Sequence, residues 1–142
     1  DPNRFVIKTD LLDSETQFRR GKELMAEGRF REARAQLEFA HDFDPQNSAY
    51  RAELAWCRYL EDASRWADHA VADLREALRI DPREGLAYLY LGQLLTDRGE
   101  MAEAKMHLER ALKLMSGDRR PIEALKALSQ QSGKKKRSWL PG

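Results

Sequence analysis

The feature that most constrains this chain is a pattern of small and large apolar residues that occurs three times. Ala33, Leu37 and Ala40 form the first copy, and the same Ala-x3-Leu-x2-Ala spacing recurs at residues 70–77 and 104–111. Successive copies lie 37 and then 34 residues apart. Because self-similarity at a period of about 20–50 residues is typical of repeat architectures, the pattern predicts a short array of similar units.

Each unit is predicted to be a pair of antiparallel helices. Intervals of four and three residues place the alanines and the leucine on one helical face, where the small side chains allow a second helix to approach closely. Pro45 and Pro82 follow the first two copies by five residues and are expected to end those helices. Gly28 and Gly99 stand where a left-handed turn residue is needed. Another helical stretch precedes each copy, at residues 18–25, 50–60 and 86–95.

The two ends of the chain differ from the repeats. Residues 119–131 have an apolar stripe of Ile122, Leu125 and Leu128, which predicts a helix that caps the last repeat. Ser14 with Gln17 fits a capping box at the start of the first helix. The predicted domain therefore covers residues 13–131, after an irregular lead-in of residues 1–12 and before a basic flexible tail of residues 132–142. Its repeats are residues 14–47, 48–84 and 85–118.

The third unit resembles the tetratricopeptide repeat. Tyr88-x2-Leu91-Gly92-x2-Leu95, followed by Ala104, Leu108 and Ala111, is a close match to the W-x2-L-G-x2-Y…A-x3-F pattern of that family. The resemblance covers roughly residues 14–116. It implies an all-α fold, an α-solenoid of three antiparallel helix pairs plus a capping helix, with seven helices in a right-handed superhelix.

Two repeats depart from the family pattern. The first has Gln17 and Arg20, and the second has Arg58, at positions where large apolar residues are usual. Three extra residues near 63–65 are expected to lengthen the turn between the helices of the second repeat. The polar residues at these positions of the first repeat predict weaker outer packing there.

The resemblance also implies where a ligand binds. In this family the first helix of each pair lines a concave groove, and side chains spaced by three or four residues share that face. The expected groove is apolar and aromatic, which suits a peptide or helix of a partner protein. Its predicted lining is Phe18, Lys22, Met25, Ala52, Trp56, Tyr59, Leu86, Leu89, Tyr90 and Gln93. For Leu86 and Leu89, burial in the core is an equally good interpretation.

One ligand class of the family is not expected here. Some members bind acidic C-terminal tails of heat-shock chaperones through a ring of basic and amide side chains. At the matching positions this chain has Phe18, Lys22, Glu53, Leu86 and Tyr90. Because only Lys22 is basic and Glu53 repels a carboxylate, the sequence predicts that this mode is absent.

Composition and motifs favour a non-catalytic adaptor without a cofactor or small-molecule substrate. Net charge is +1, so bulk electrostatics predict no nucleic-acid partner. No metal-ligand or phosphate-loop motif occurs, and His41, His69 and His107 lie on second helices of different repeats. Cys57, the one cysteine, is expected to be a buried apolar residue in a reducing, cytoplasmic location. The general residue pattern of the chain is similar to that of repeat segments in larger bacterial proteins. We therefore expect that it is part of a longer chain.

Several alternatives stay open. The chain is a self-association module if exposed faces or tails dock between copies. Residues 134–137, a Lys-Lys-Lys-Arg run, form a weak tether to nucleic acid or anionic membrane in a third hypothesis, although a solvated end explains four basic residues as well. The chain's own residues 5–7 or 139–140 are further candidate occupants of the groove. An ordinary helical bundle with chance spacing is the alternative to a repeat array.

Overall fold

The computed structural model describes the backbone of residues 2–138 and the side chains of residues 13–133. Within that backbone the chain forms seven helices and no strand. The helices are α1 (Pro2–Ala26), α2 (Phe30–Phe43), α3 (Ser48–Glu61), α4 (Ala63–Ile80), α5 (Gly85–Asp97), α6 (Met101–Leu114) and α7 (Arg120–Ser138). The prediction of an all-α fold with seven helices is therefore confirmed. Of these helices, none combines the length and the apolar character required to cross a bilayer.

Two compact units divide the helices. Helices α1 to α4 form a unit that ends at Pro82, and α5 to α7 form a unit that begins at Arg83. In the first unit α2 packs against α1 and α3, and α3 packs against α4. In the second unit α6 packs against α5 and α7. Because very short turns join the helices of each pair, the partners run antiparallel.

The three apolar patterns form the contact faces of the second helices. Every alanine and leucine of the three copies is at most 2% exposed, including Ala33, Leu37, Ala70 and Leu74. In the first unit Leu37 belongs to a buried cluster with Leu24, Leu54 and Cys57. The spacing therefore predicted correctly which face of α2, α4 and α6 is buried.

Two glycines allow the helices of a pair to approach closely. A Cβ placed on Gly21 of α1 would lie 2.6 Å from Cδ2 of Leu37, and one placed on Gly92 of α5 would lie 2.6 Å from Cδ2 of Leu108. Real carbon atoms do not approach each other this closely. The leucine of the second helix therefore occupies the space that a side chain on the first helix would need.

The turn glycines have the predicted conformation. Gly28 has a φ of 75° and Gly99 a φ of 80°, in the left-handed region that glycine adopts without steric cost. The amide of Gly28 donates to the carbonyl oxygen of Met25 and that of Arg29 to Leu24, both at 3.0 Å. This is the Schellman arrangement, which satisfies the last carbonyl groups of α1.

The predicted irregular lead-in is wrong, because α1 begins at Pro2. Proline is well suited to the first helical position, and no helix-breaking residue separates it from Gly21. Ser14 therefore lies inside α1 and does not cap it. It is fully buried, with its Oγ 3.5 Å from the hydroxyl oxygen of Tyr50.

The capping helix is longer than predicted. Helix α7 begins at Arg120 and continues to Ser138, so residues 132–138 are helical and not a flexible tail. Residues 139–142, the remainder of the predicted tail, lie outside the described part of the chain. Gly133 does not interrupt the helix, because a glycine costs only about 1 kcal/mol inside one.

The second repeat has no lengthened turn. Asp62 alone separates α3 from α4, and its side chain accepts a hydrogen bond from the backbone N–H of Arg65 at 3.2 Å. The extra residues instead form the first turn of α4, which has 18 residues. Aspartate is a favoured N-cap residue, so it starts α4 where α3 ends.

The arginine at an apolar position of this repeat also has a defined role. The guanidinium carbon of Arg58 lies 5.0 Å from the ring centroid of Trp66, within the range of a cation–π contact. Its Nη2 lies 3.5 Å from Oε1 of Glu38 on α2. Arg58 thus connects α3 to both neighbouring helices where an apolar side chain was expected.

Candidate functional site

In the first unit, α1 presents its predicted site residues at spacings that share one helical face. Phe18 and Met25 are half-buried and pack on the cluster that contains Leu24 and Leu37. The ring of Phe18 lies 4.7 Å from that of Tyr50 on α3. Lys22 is exposed, with its Nζ 4.7 Å from the centroid of the Phe18 ring. This face of α1 therefore combines an accessible aromatic edge with one cation.

Helix α3 contributes an aromatic pair from the predicted set. The ring centroids of Trp56 and Tyr59 are 5.4 Å apart and their planes are inclined by 34°, a separation typical of aromatic contacts. Trp56 is half-buried, whereas Tyr59 is 8% exposed and Ala52 is fully buried. Trp56 therefore has surface to offer a ligand, and the structure gives Ala52 and Tyr59 mainly a packing role.

In the second unit, two of the four predicted site residues on α5 are partly accessible and two are buried. Leu86 and Gln93 are half-buried, while Leu89 and Tyr90 are buried. Burial of Leu89 agrees with the core interpretation of that residue. Tyr90 is 3% exposed, and ligand contact at all four positions stays a prediction.

Tyr90 holds the start of α7. Nη1 of Arg120 donates to the Tyr90 hydroxyl at 3.2 Å. The same guanidinium holds Asp118, with Nε 3.1 Å from Oδ1 and Nη2 2.8 Å from Oδ2. This hydrogen bonding lowers the pKa of Asp118 below its ordinary value and raises that of Arg120. The sequence signal for the contact is weak, because Tyr90 and Arg120 are 30 residues apart.

Glu53, at one of the positions that match the family's basic ring, is also buried. Glu53 is 4% exposed on α3, between the half-buried Trp56 and the start of the helix. Of the five positions that correspond to the family's basic ring, Lys22 alone supplies a cation. Neither unit therefore presents a ring of positive charge from these positions.

Cys57 is a buried residue of the core cluster in the first unit. Its side chain is fully buried, and Sγ donates a hydrogen bond to the carbonyl oxygen of Phe30 at 3.2 Å. Burial raises the pKa of the thiol to about 12, with Glu61 and Glu53 adding to the shift. Because the thiolate is the nucleophile, this environment suppresses thiol chemistry.

We predict that Cys57 resists labelling by a disulfide reagent in the folded protein at pH 8. The expected rate is at least about tenfold below the rate in denaturing urea, because unfolding restores an ordinary thiol pKa. Absorbance of the released chromophore measures both rates. Equal rates in the two conditions would contradict the buried, hydrogen-bonded state of the thiol.

The histidines are not brought together. Among the described side chains, no group of three or more His, Cys, Asp or Glu residues has metal-binding geometry. His107 has its Nδ1 2.8 Å from the carbonyl oxygen of Glu103, one turn earlier in α6. Partial burial lowers the pKa of His41, and the charge of Arg51 adds to that effect.

A groove in the second unit was not predicted. It lies between the first turns of α6 and the middle of α7 and has a volume of about 350 Å³. Both helices contribute apolar walls, and the lining residues are Met101, Ala102, Lys105, Leu125, Leu128, Ser129 and Ser132. The sequence signal for this groove is the apolar stripe of residues 122–128, which also predicts a capping face. We refer to this feature as the α6–α7 groove.

Comparison with known proteins agrees with this architecture. A family model described as a tetratricopeptide repeat matches residues 86–115. The Sgt2 TPR domain from Aspergillus fumigatus has a TM-score of 0.70 at 21% identity, over 91% of this chain and 85% of that one. The first TPR of Spaghetti (RPAP3), bound to an HSP90 peptide SRMEEVD, has a TM-score of 0.66 at 21% identity, over 87% and 95%.

A bacterial structure has the same fold. The Yersinia enterocolitica type III secretion chaperone SycD, in complex with a peptide of the translocator YopD, has a TM-score of 0.60 at 19% identity. The alignment covers 83% of this chain and 93% of that one. At such identities the likeness establishes the fold, and the two bound peptides are properties of those proteins.

Proposed function

We propose that this protein is a peptide-binding interaction module without catalytic activity. The premise is that residues 86–115 match the tetratricopeptide repeat and that the chain has the fold of tetratricopeptide-repeat domains. The observation that carries the proposal is the partial exposure of three large apolar side chains on the first helices of the first unit. Phe18 and Met25 on α1 and Trp56 on α3 are half-buried, although a core role alone would favour complete burial. Two proteins of the same fold were solved with bound peptides.

The partner segment is expected to be apolar or amphipathic. Aromatic side chains on rigid helices bind with little loss of conformational freedom, and a central aromatic contact contributes about 2 kcal/mol or more. Lys22, beside Phe18, favours a segment with an acidic residue next to its apolar anchor. A tail with several carboxylates is disfavoured, because Glu53 lies on the same helix as Trp56.

The test is a binding measurement on the full chain with Trp56→Ala. Affinity capture from an extract identifies a partner, and titration of a labelled peptide from it measures the dissociation constant. We expect at least about tenfold weaker binding, the loss that corresponds to a hot-spot aromatic residue. The free energy of unfolding should fall by no more than about 1–2 kcal/mol, because Trp56 is half-buried and its ring contacts that of Tyr59.

Leu60→Ala is the matched control, since Leu60 is 39% exposed on the same helix and outside the predicted set. It should leave binding unchanged. Unchanged binding by Trp56→Ala and Phe18→Ala, with both proteins folded, would show that these side chains do not contact the partner. Light scattering at several concentrations tests the alternative of self-association, for which the exposed Phe39 and Phe43 of α2 are the candidate surface.

A further inference from the structure

Helix α7 has the register of a first helix but not the burial of one. It packs against the preceding second helix, α6, as α3 packs against α2. The last two alanine patterns are 34 residues apart, and the same interval relates Leu91 of α5 to Leu125 of α7. Leu91 is fully buried, whereas Leu125 is half-buried and Ile122, one turn earlier, is 44% exposed. Helix α7 therefore keeps apolar surface accessible on the face that carries this register.

A helix that packed on this face as α6 packs on α5 would not fit. The close approach of α5 and α6 depends on Gly92, which leaves its side-chain space to Leu108. Helix α7 has Lys126 at the corresponding position, 34 residues later, and its side chain is exposed. Because the distance between two helices is set by the side chains at their contact, an occupant of this face must pack farther away and leave room for a lysine.

The charges on this face of α7 are complementary to themselves. Glu123 and Lys126 are both exposed and lie three residues apart, on the same flank of the helix. When two copies of one helix pack face to face and antiparallel, residues of the same flank meet each other. Glu123 of each copy then faces Lys126 of the other, so one contact contains two ion pairs related by a two-fold axis.

The same arrangement brings an exposed apolar side chain to the α6–α7 groove. With Glu123 opposite Lys126, Ile122 of one helix lies opposite residues 125–129 of the other. Leu125, Leu128 and Ser129 of that segment line the groove, together with Met101 of α6. A volume of about 350 Å³ is ample for one aliphatic side chain. Each copy therefore offers both an apolar side chain and a space that accepts it, as in knobs-into-holes packing.

We propose that the occupant of this face is a second copy of the chain, in a weak dimer of two antiparallel α7 helices. Ile122 of each copy enters the α6–α7 groove of the other, and Glu123 pairs with Lys126 across the contact. Few large apolar side chains take part, so the buried area stays below the about 1,200 Å² of a stable interface and the expected dissociation constant is about 10–100 µM. The segments 134–137 of the two helices begin about 14 Å from the centre of the contact, at opposite ends, where screening separates their charges.

Sedimentation equilibrium of the full chain, at concentrations from about 5 to about 500 µM, brackets the expected dissociation constant. The average mass should rise with concentration from the 16.4 kDa of one chain toward twice that value. Ile122→Asp should weaken the dimer at least about tenfold, because it places a carboxylate in an apolar space. Met106→Asp is the matched control, because Met106 is 66% exposed on α6 and does not line the groove.

A charge exchange tests the antiparallel register. Lys126→Glu places carboxylates opposite Glu123 of the second copy, and Glu123→Lys places ammonium groups opposite Lys126. Each variant alone should dimerise about tenfold more weakly, because like charges then face each other. An equimolar mixture of the two variants should recover the dimer, because every contact between a copy of one and a copy of the other joins opposite charges. Circular dichroism verifies that each variant is folded.

Three outcomes would overturn the proposal. A chain that keeps the mass of a monomer at every concentration leaves the α6–α7 groove to a helix of another protein. A dimer that Ile122→Asp does not weaken, but that Phe39→Ala does, assigns self-association to the exposed face of α2. Failure of the mixture to recover a dimer that both charge variants have lost shows that Glu123 and Lys126 do not meet across the contact. None of these results depends on peptide binding by the first unit.

Discussion

Leu37→Ala is expected to lower the free energy of unfolding of the first unit by about 2–5 kcal/mol. Leu37 is fully buried, contacts the backbone region of Gly21 and belongs to the cluster that includes Leu24, Leu54 and Cys57. Its truncation removes buried apolar surface and leaves a cavity that rigid helix pairs fill only in part. A loss of this size is a large fraction of the stability of a domain, typically about 5–15 kcal/mol.

Urea unfolding followed by circular dichroism measures the change. Leu60→Ala is the control because it replaces the same side chain at a position that is 39% exposed, and its effect should stay within about 0.5 kcal/mol. A loss below about 1 kcal/mol for Leu37→Ala would contradict the placement of this leucine at the contact between α1 and α2.

Gly92→Ala is expected to destabilise the second unit by about 1–3 kcal/mol, although alanine favours a helix by about 1 kcal/mol over glycine. The new Cβ would lie 2.6 Å from Cδ2 and 2.7 Å from Cγ of Leu108, which is fully buried. It would also lie 3.3 Å from the carbonyl oxygen of Ala104. The leucine and the backbone of α6 must both move to admit it.

Gly133→Ala makes the same substitution without the clash, because nothing lies within 4 Å of a Cβ at that position of α7. It should raise the free energy of unfolding by up to about 1 kcal/mol. In a double-mutant cycle, Leu108→Ala should reduce the cost of Gly92→Ala, since it removes the atoms that clash. Additive losses would show that the two residues do not share the contact.

How far the sequence predicted the candidate site depends on the range of the contacts. Helical spacing located Phe18, Met25 and Trp56 on accessible faces of first helices, because a period of 3.6 residues is a local property. The same spacing did not distinguish Trp56 from Tyr59, three residues later, which is 8% exposed. Burial of that ring depends on which neighbouring helix covers it, and the local pattern does not contain that information.

The remaining differences have the same origin. The hydroxyl of Tyr90 accepts a hydrogen bond from Arg120, and Ser14 lies beside the hydroxyl of Tyr50, 36 residues away. Such contacts form only when separate helices are packed together. Residues that the sequence predicts to bind a ligand or to cap a helix then form contacts between helices.

The sequence by itself determined the helix pairs of this protein. Residue size at fixed intervals decides which faces can approach, and glycine or proline decides where a helix stops, so the three alanine patterns and Gly28 and Gly99 were sufficient. Only the tertiary structure decided which aromatic side chains remain accessible and that α6 and α7 leave an apolar groove between them. Side-chain exposure and the groove both depend on how helices from distant parts of the sequence pack against each other, which local spacing does not specify.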